Sequence, residues 1–521
     1  MIRAMRITRL RFWIRRSWSF WIAPLLLTSV LHAAEPTQPV SLDRATFKAP
    51  EDAAFEADEP LAMPSLGDAS SSIISPQLER EIGESFLKQV YAGLPTSRDP
   101  LMKYYVTVHI SQLAAYSDLA DSLLRVVLID NKDINAFAAP GGVVGVNAGL
   151  FLSAHDVHEY SSVIAHELAH LSQRHFARGV EEQRAQTPLT IASLIAAIAI
   201  AAMGGGDAGM AAISGVQAAA QSRQLRYSRT RETEADRIGL NTLKRAGLDP
   251  EGMPRMFERM HHAYRFTRRP PEFLLTHPMT DRRVSDTRQQ LQNLTMYRGQ
   301  PANSRLNELD YRLMRVRTQV NYAKSPAGAV AVFEKALREN PEDMAAEYGL
   351  ALALGKTGKK GKTLAITESL LGTDPQKILY VGAHAESLID AGEPDQAAHL
   401  LSHHLVLNPD NTPLSVLYAR ALSADNRHRE AQTVLERQSL ANPRDIDIWY
   451  ELAETAGLAG DVIAVHRARA EFFALHGGYS RAIQHLEYAQ RLISRSDERL
   501  RAQLDQRIMD LRTELRTAQA G

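Results

Sequence analysis

Two features of the sequence predict a mainly α protein in which an α+β domain with a small β-sheet is followed by an α-solenoid of helical repeats. Between residues 125 and 146, short β-branched runs are separated by turn residues, enough for a small sheet among helices. In the last third, Pro341, Pro375, Pro409 and Pro443 stand 34 residues apart, each in an Asn-Pro or Asp-Pro step, the punctuation of stacked helical pairs. At 521 residues, 45% hydrophobic and 23% charged, the chain is long enough for two or three separate cores. Sixty basic residues match sixty acidic ones, and this balance gives no electrostatic reason to propose a nucleic acid partner. Cysteine is absent, so disulfides and thiolate metal sites are excluded and any metal must be held by His, Asp or Glu.

The first element is an export signal over residues 1–34. Arg3, Arg6, Arg9, Arg11, Arg15 and Arg16 precede an apolar run from Phe20 to Leu31, and small residues end it at Ala33-Ala34. A retained anchor is the alternative, but about twelve apolar residues broken by Pro24 fall short of the ~20 that span a bilayer. Cleavage places the mature chain in the periplasm. Residues 35–75, rich in Pro, Ala, Asp and Glu, read as a loosely docked arm. Ser75-Pro76 then supplies a cap and a first-turn proline for a helix whose Leu78, Ile82, Phe86 and Val90 recur at helical spacing.

Residues 76–300 carry the chemistry. Arg125 to Ile129, Ile134 to Ala138 and Val143 to Val146 read as a strand meander turning at Asn131-Lys132-Asp133 and Pro140-Gly141-Gly142. An edge strand beside a catalytic metal can accept an extended peptide, although strands here can equally serve only to pack the next helix. That helix holds Val163-Ile164-Ala165-His166-Glu167-Leu168-Ala169-His170-Leu171. Residues four apart share a helix face, so His166 and His170 can present two imidazoles to one zinc ion while Glu167 serves as base. Zinc then needs a third protein ligand and an open position. A third histidine ten residues after the first would be one solution, but Phe176 occupies that place and His175 is one residue out. The better candidate is Arg229 to Gly239, where Glu232 and Asp236 are four apart. One carboxylate could bind the metal while the other fixes a ligand histidine or assists proton transfer.

The His166-Glu167 helix, Glu232 with Asp236, the hairpin from Asn135 to Gly142 and the stretch Leu274-Leu275-Thr276-His277-Pro278 occur in one order over about 150 residues. Together they resemble the metallopeptidase family of the CAAX prenyl proteases and the heat-shock membrane protease, and most of all its secreted, repeat-bearing branch, whose members assist β-barrel assembly. The resemblance implies a zincin-type domain and one zinc ion per chain, with ligands His166, His170 and Glu232, base Glu167, and a catalytic supporting role for Asp236. It also draws in His277, followed six residues later by Arg283, as a gate on the metal or a stabiliser of the oxyanion. The two roles predict opposite effects of removal, and the gate is the expectation preferred here. An exported zinc endopeptidase that degrades misfolded or stalled outer-membrane proteins is the implied activity. The alternative is a chaperone or assembly scaffold acting mainly through its repeats.

Two apolar segments between Thr190 and Ala220, broken at Gly204-Gly205-Gly206-Asp207, are each too short to span and suggest a buried or membrane-surface helical hairpin, hence possible peripheral membrane contact. From residue 308 to 521 the 34-residue period is that of the tetratricopeptide repeat. Ala329, Ala397 and Ala431 keep one place within it, Thr363 departs from it, and Trp449 falls at a usual aromatic position. Such stacks bind peptides or proteins on a concave face. By resemblance, the partners are unfolded or misfolded outer-membrane proteins and, through the repeats, the outer-membrane barrel assembly machinery.

Overall fold

A computed structural model describes residues 74–119, 125–182, 229–264, 271–293, 306–494 and 496–520. The signal segment, nearly all of the arm and the apolar pair of segments between Thr190 and Ala220 lie outside the described residues. Among those described, no helix is long and apolar enough to cross a membrane.

Helix α1 (Pro76–Gly93) starts as its sequence dictates, Ser75 Oγ accepting the Leu78 N–H at 3.1 Å, and buries Ile82, Phe86 and Val90. Asp99 caps α2 (Pro100–Ala114) in the same way. Three strands follow, β1 (Arg125–Ile129), β2 (Ala136–Ala139) and β3 (Val143–Asn147). Their order corrects the expected meander: β3 is central, antiparallel to β2 but parallel to β1. Every residue of β3 is buried, which suits the middle position. Gly145 is also needed there, because a Cβ would fall 2.0 Å from the Phe137 ring of β2. The outer edge of β1 is covered by the chain leading out of α1, where Ser97 N–H donates to Leu128 O at 2.9 Å. This leaves β2 at the opposite edge.

Helices α3 (Gly149–Ser153), α4 (Val157–Ser172), α5 (His175–Glu182), α6 (Arg229–Arg245), α7 (Gly252–Tyr264), α8 (Glu272–Thr276) and α9 (Asp281–Asn293) complete this part. The repeats run through α10 (Glu308–Asn321), α11 (Pro326–Glu339), α12 (Met344–Lys356), α13 (Lys360–Thr373), α14 (Ile378–Ala391), α15 (Pro394–Leu407), α16 (Thr412–Ala424), α17 (His428–Ala441), α18 (Ile446–Ala459), α19 (Val462–Leu475), α20 (Tyr479–Leu492) and α21 (Glu498–Ala520). The proline period has a physical basis. Asn340, Asp374, Asn408 and Asn442 end a helix, proline follows where a helix cannot continue, and the next helix starts three residues after it. Asp343, Asn411 and Asp445 each cap that next helix through the side chain. Ala329, Ala397 and Ala431 are buried where paired helices meet, and Thr363 is accommodated because its hydroxyl donates to Ala351 O at 3.2 Å.

The largest core is not confined to either part, and smaller separate clusters lie under α1 and among the last helices. One continuous apolar core runs from Leu101 in α2 through α4 and α10 to Ala468 in α19. Helix α10 joins the two parts. Tyr311 packs on Phe151 and Tyr160, its hydroxyl donating to Ala154 O at 2.8 Å, while Glu308 Oε2 accepts the Val157 N–H at the start of α4 at 2.8 Å. That carboxylate also suits the positive end of the helix dipole. Farther along, α2 packs against α14 and α16. A Cβ on Gly382 of α14 would lie 2.5 Å from a Leu101 methyl of α2, so a larger residue here would require the Leu101 side chain to shift. Buried Arg317 of α10 ties the layers together, pairing with Asp99 at the cap of α2 and, at 2.7 Å, with Glu386 of α14. Removing it strands two carboxylates, so Arg317→Ala should lower stability by about 3 kcal/mol in urea unfolding, and a loss below about 1 kcal/mol would contradict the anchoring role.

Candidate metal centre

Helix α4 positions the first group. Asp156 caps it, accepting the Glu159 N–H at 2.8 Å, and its second half is buried from Val163 to His170. The 3.6-residue repeat sets His166 and His170 on one face, with Nε2 atoms 3.0 Å apart. Helix α6 packs along α4 and brings Glu232 to them, Oε2 lying 3.5 Å from His166 Nε2 and Oε1 3.5 Å from His170 Nε2. Gly239 makes this packing possible, since a Cβ there would meet the His166 backbone at 3.3 Å. His277, just past α8, completes the group: its Nδ1 is 3.3 Å from His166 Nε2 and 3.1 Å from Glu232 Oε1. All four side chains are buried and their ligand atoms lie within 4.8 Å of one another. A tetrahedral ion with bonds of about 2.1 Å has ligand atoms about 3.4 Å apart. The donor set therefore fits one divalent metal.

The surrounding charges are arranged around that group. Asp236, one turn after Glu232, sits with Oδ1 2.9 Å from His166 Nδ1. Arg283 of α9 grips Asp236 with Nε at 2.8 Å and Nη2 at 2.7 Å, and reaches Glu232 with Nη1 at 2.8 Å. Burial opposes ionisation of Glu232, but His277 and Arg283 outweigh it and hold its carboxyl well below the usual range. Asp236 is held low in the same way, burial being outweighed by Arg283 and His166. Burial pulls the His166 imidazole down, yet Asp236 and Glu232 together lift it to about 9. Burial, with the neighbouring His166 charge, drives His170 well below its ordinary value. Glu167, on the same helix, takes a hydrogen bond from the Ala138 backbone in β2 and is pushed up by burial. Its Oε1 is buried without a hydrogen bond among the described residues and faces His277 Nε2 at 3.5 Å.

Known proteins share this architecture. Residues 100–291 match the model of Peptidase family M48, and residues 388–454 match that of the tetratricopeptide repeat. The beta-barrel assembly-enhancing protease of Yersinia pestis is 32% identical over 454 residues, which cover 85% of this chain and 91% of that protein. The chain belongs to the beta-barrel assembly-enhancing protease family. Its Escherichia coli (strain K12) relative is 30% identical over 86% of this chain and 92% of the relative. The mitochondrial metalloendopeptidase OMA1 of Bos taurus is 35% identical over 155 residues, 29% of each chain. This member of the family is accordingly a metalloprotease with tetratricopeptide repeats.

The structure gathers the residues singled out from the sequence, with one difference of placement. Asp236 stands behind His166 and orients its ring, the ligand-fixing role open to one of the two carboxylates. Arg283, expected beside His277 as gate or oxyanion stabiliser, instead has its N–H groups taken up by Asp236, Glu232 and Pro278 O. Three polar neighbours were not singled out as functional: His175, whose Nδ1 is 2.7 Å from His170 Nδ1, then Glu234 and Arg178. Their signal is faint because His175 is five residues from His170, off the face that a continuous helix would give it. The lifted His166 means that metal uptake near neutral pH must displace a proton. Calorimetric titration of chelator-stripped protein in buffers of differing ionisation enthalpy should show about one proton released per ion bound, and none released would contradict the charge arrangement.

Proposed function

We propose that this metalloprotease is a zinc endopeptidase of the periplasm that degrades misfolded or stalled outer-membrane proteins and supports their assembly. The observation that carries the catalytic part is the triangle of His166, His170 and Glu232 with Glu167 beside it. An all-nitrogen and oxygen set of this size suits zinc. When bound, the ion supplies Lewis acidity to a peptide carbonyl and acidifies water. The chain's own groups do the rest. Glu167, raised by burial, accepts the proton of the attacking water and can return it to the leaving amine. Asp236 and Arg283 keep His166 and Glu232 aimed. Strand β2, at the sheet edge and tied to Glu167 through Ala138, is placed to align an extended peptide. A cleft of about 1350 Å³ leads there, walled by Gly83, Pro140, His170, Arg174, His476 and Tyr479.

His277 is read as a gate. Its Nδ1 stands among the ligand atoms and its Nε2 faces the base, so the side chain fills the approach to both. The five-residue helix α8 and Pro278 flank it, a short support on which displacement is local. Export rests on the basic and apolar segment over residues 1–34, and the outer-membrane clients on the names of the relatives. The repeats are the proposed attachment to the barrel assembly machinery, and the segment between Thr190 and Ala220 the proposed membrane contact. A chaperone or assembly scaffold acting mainly through its repeats, with proteolysis secondary, is the competing reading.

Glu167→Gln should keep one zinc per chain while cleavage of an unfolded outer-membrane protein falls to background, and cleavage at the unaltered rate would sink the mechanism. In a strain deleted for the gene, full rescue of outer-membrane assembly by that variant would favour the scaffold reading. His277→Ala should raise basal cleavage and self-cleavage, whereas a drop of roughly a hundredfold would assign His277 to the oxyanion instead.

A further inference from the structure

We propose that His175, backed by Glu234 and Arg178, is a positioning residue that fixes the ring of His170 for metal binding. The proposal rests on the reading of His170 as a ligand. Its Nε2 points at the shared centre, 3.0 Å from His166 Nε2. An imidazole that offers Nε2 to a metal carries its proton on Nδ1, and the partner of that proton sets the orientation of the ring. Here Nδ1 of His170 lies 2.7 Å from Nδ1 of His175. His170 must therefore donate and His175 accept, which leaves the His175 proton on Nε2. That atom faces Oε2 of Glu234 at 3.2 Å, and Arg178 Nη1 donates to the same oxygen at 3.1 Å. Each step fixes the next, from carboxylate to imidazole to ligand.

The same logic serves the other histidine, where Asp236 and Arg283 stand behind His166. His170 receives an equivalent support through one additional ring. The backbone is bent to make this contact. Helix α4 ends at Ser172, Arg174 adopts a left-handed φ of 49°, and α5 begins at His175, which turns a fully buried ring back under His170. A left-handed conformation is unfavourable for a residue with a Cβ. Arg174 is held in it by Nη2 donating to Ile74 O at 2.8 Å and Nε to Glu79 at 3.2 Å.

The test uses the full chain and reads zinc affinity by chelator competition together with the visible spectrum of the cobalt-substituted protein. His175→Ala should weaken zinc by about tenfold to a hundredfold and alter the cobalt spectrum. His175→Asn places an amide oxygen near the former Nδ1 and should recover most of the affinity. His175→Gln, whose amide reaches instead toward the Nε2 position, should recover less, so the Asn and Gln pair decides the matter even if the alanine variant fails to fold. Unchanged affinity and spectrum in His175→Ala, or equal losses in the Asn and Gln variants, would overturn the relay. Failure of the unaltered chain to bind stoichiometric zinc would overturn the ligand reading itself, a separate result.

Discussion

Glu232 and Asp236, two carboxylates buried beside His166 and His170, need a cation with them, and Arg283 meets both. A buried charge without a partner is unfavourable by several kcal/mol, and Glu232 and Asp236 remain ionised because Arg283 meets both, with His277 beside Glu232 and His166 beside Asp236. Arg283 also lies over the Phe257 ring, 4.9 Å from its centre, which fixes its plane. Helix α9 must therefore pack on α6 and α7, and α6 on α4. The arrangement of this half of the molecule follows from neutralising one small pocket while leaving its nitrogen and oxygen lone pairs directed at one point.

The repeats are joined to that pocket by construction. Glu308 caps the metal-binding helix, Tyr311 fills the core beneath it, and Arg317 links the start of α2 to the third repeat helix pair. Helix α2 lies against α14 and α16 of the repeats, with Leu101 set on Gly382. An open cleft lies between α1, the β2–β3 turn and the last helices. In the proposed function, a client held by those helices is already next to the edge strand and the base.

How far the sequence could be read depended on how local each feature is. His166, Glu167 and His170, and Glu232 with Asp236, are separated by helical repeats, so the helix alone puts them on common faces. The repeat period is equally local, because a capping residue and a proline mark each unit. The parallel pairing of β1 with β3 was not legible, since it depends on which strand is buried on both faces. Nor was the shared core, which requires Tyr311 to reach Phe151 across the chain. His175 was visible but uninterpretable. Only the left-handed turn at Arg174 brings it against His170, and Arg174 carries none of the glycine or asparagine signals that announce such turns.

Four side chains, His277 among them, bring their ligand atoms to one point in the resting chain. Zinc X-ray absorption on the resting full chain, compared with His277→Ala, tests this most directly. The account predicts one zinc bound only by nitrogen and oxygen at about 2.0–2.1 Å, with imidazole scattering from His166, His170 and His277 that falls by one ring in the variant. Identical imidazole scattering in the two proteins would contradict it.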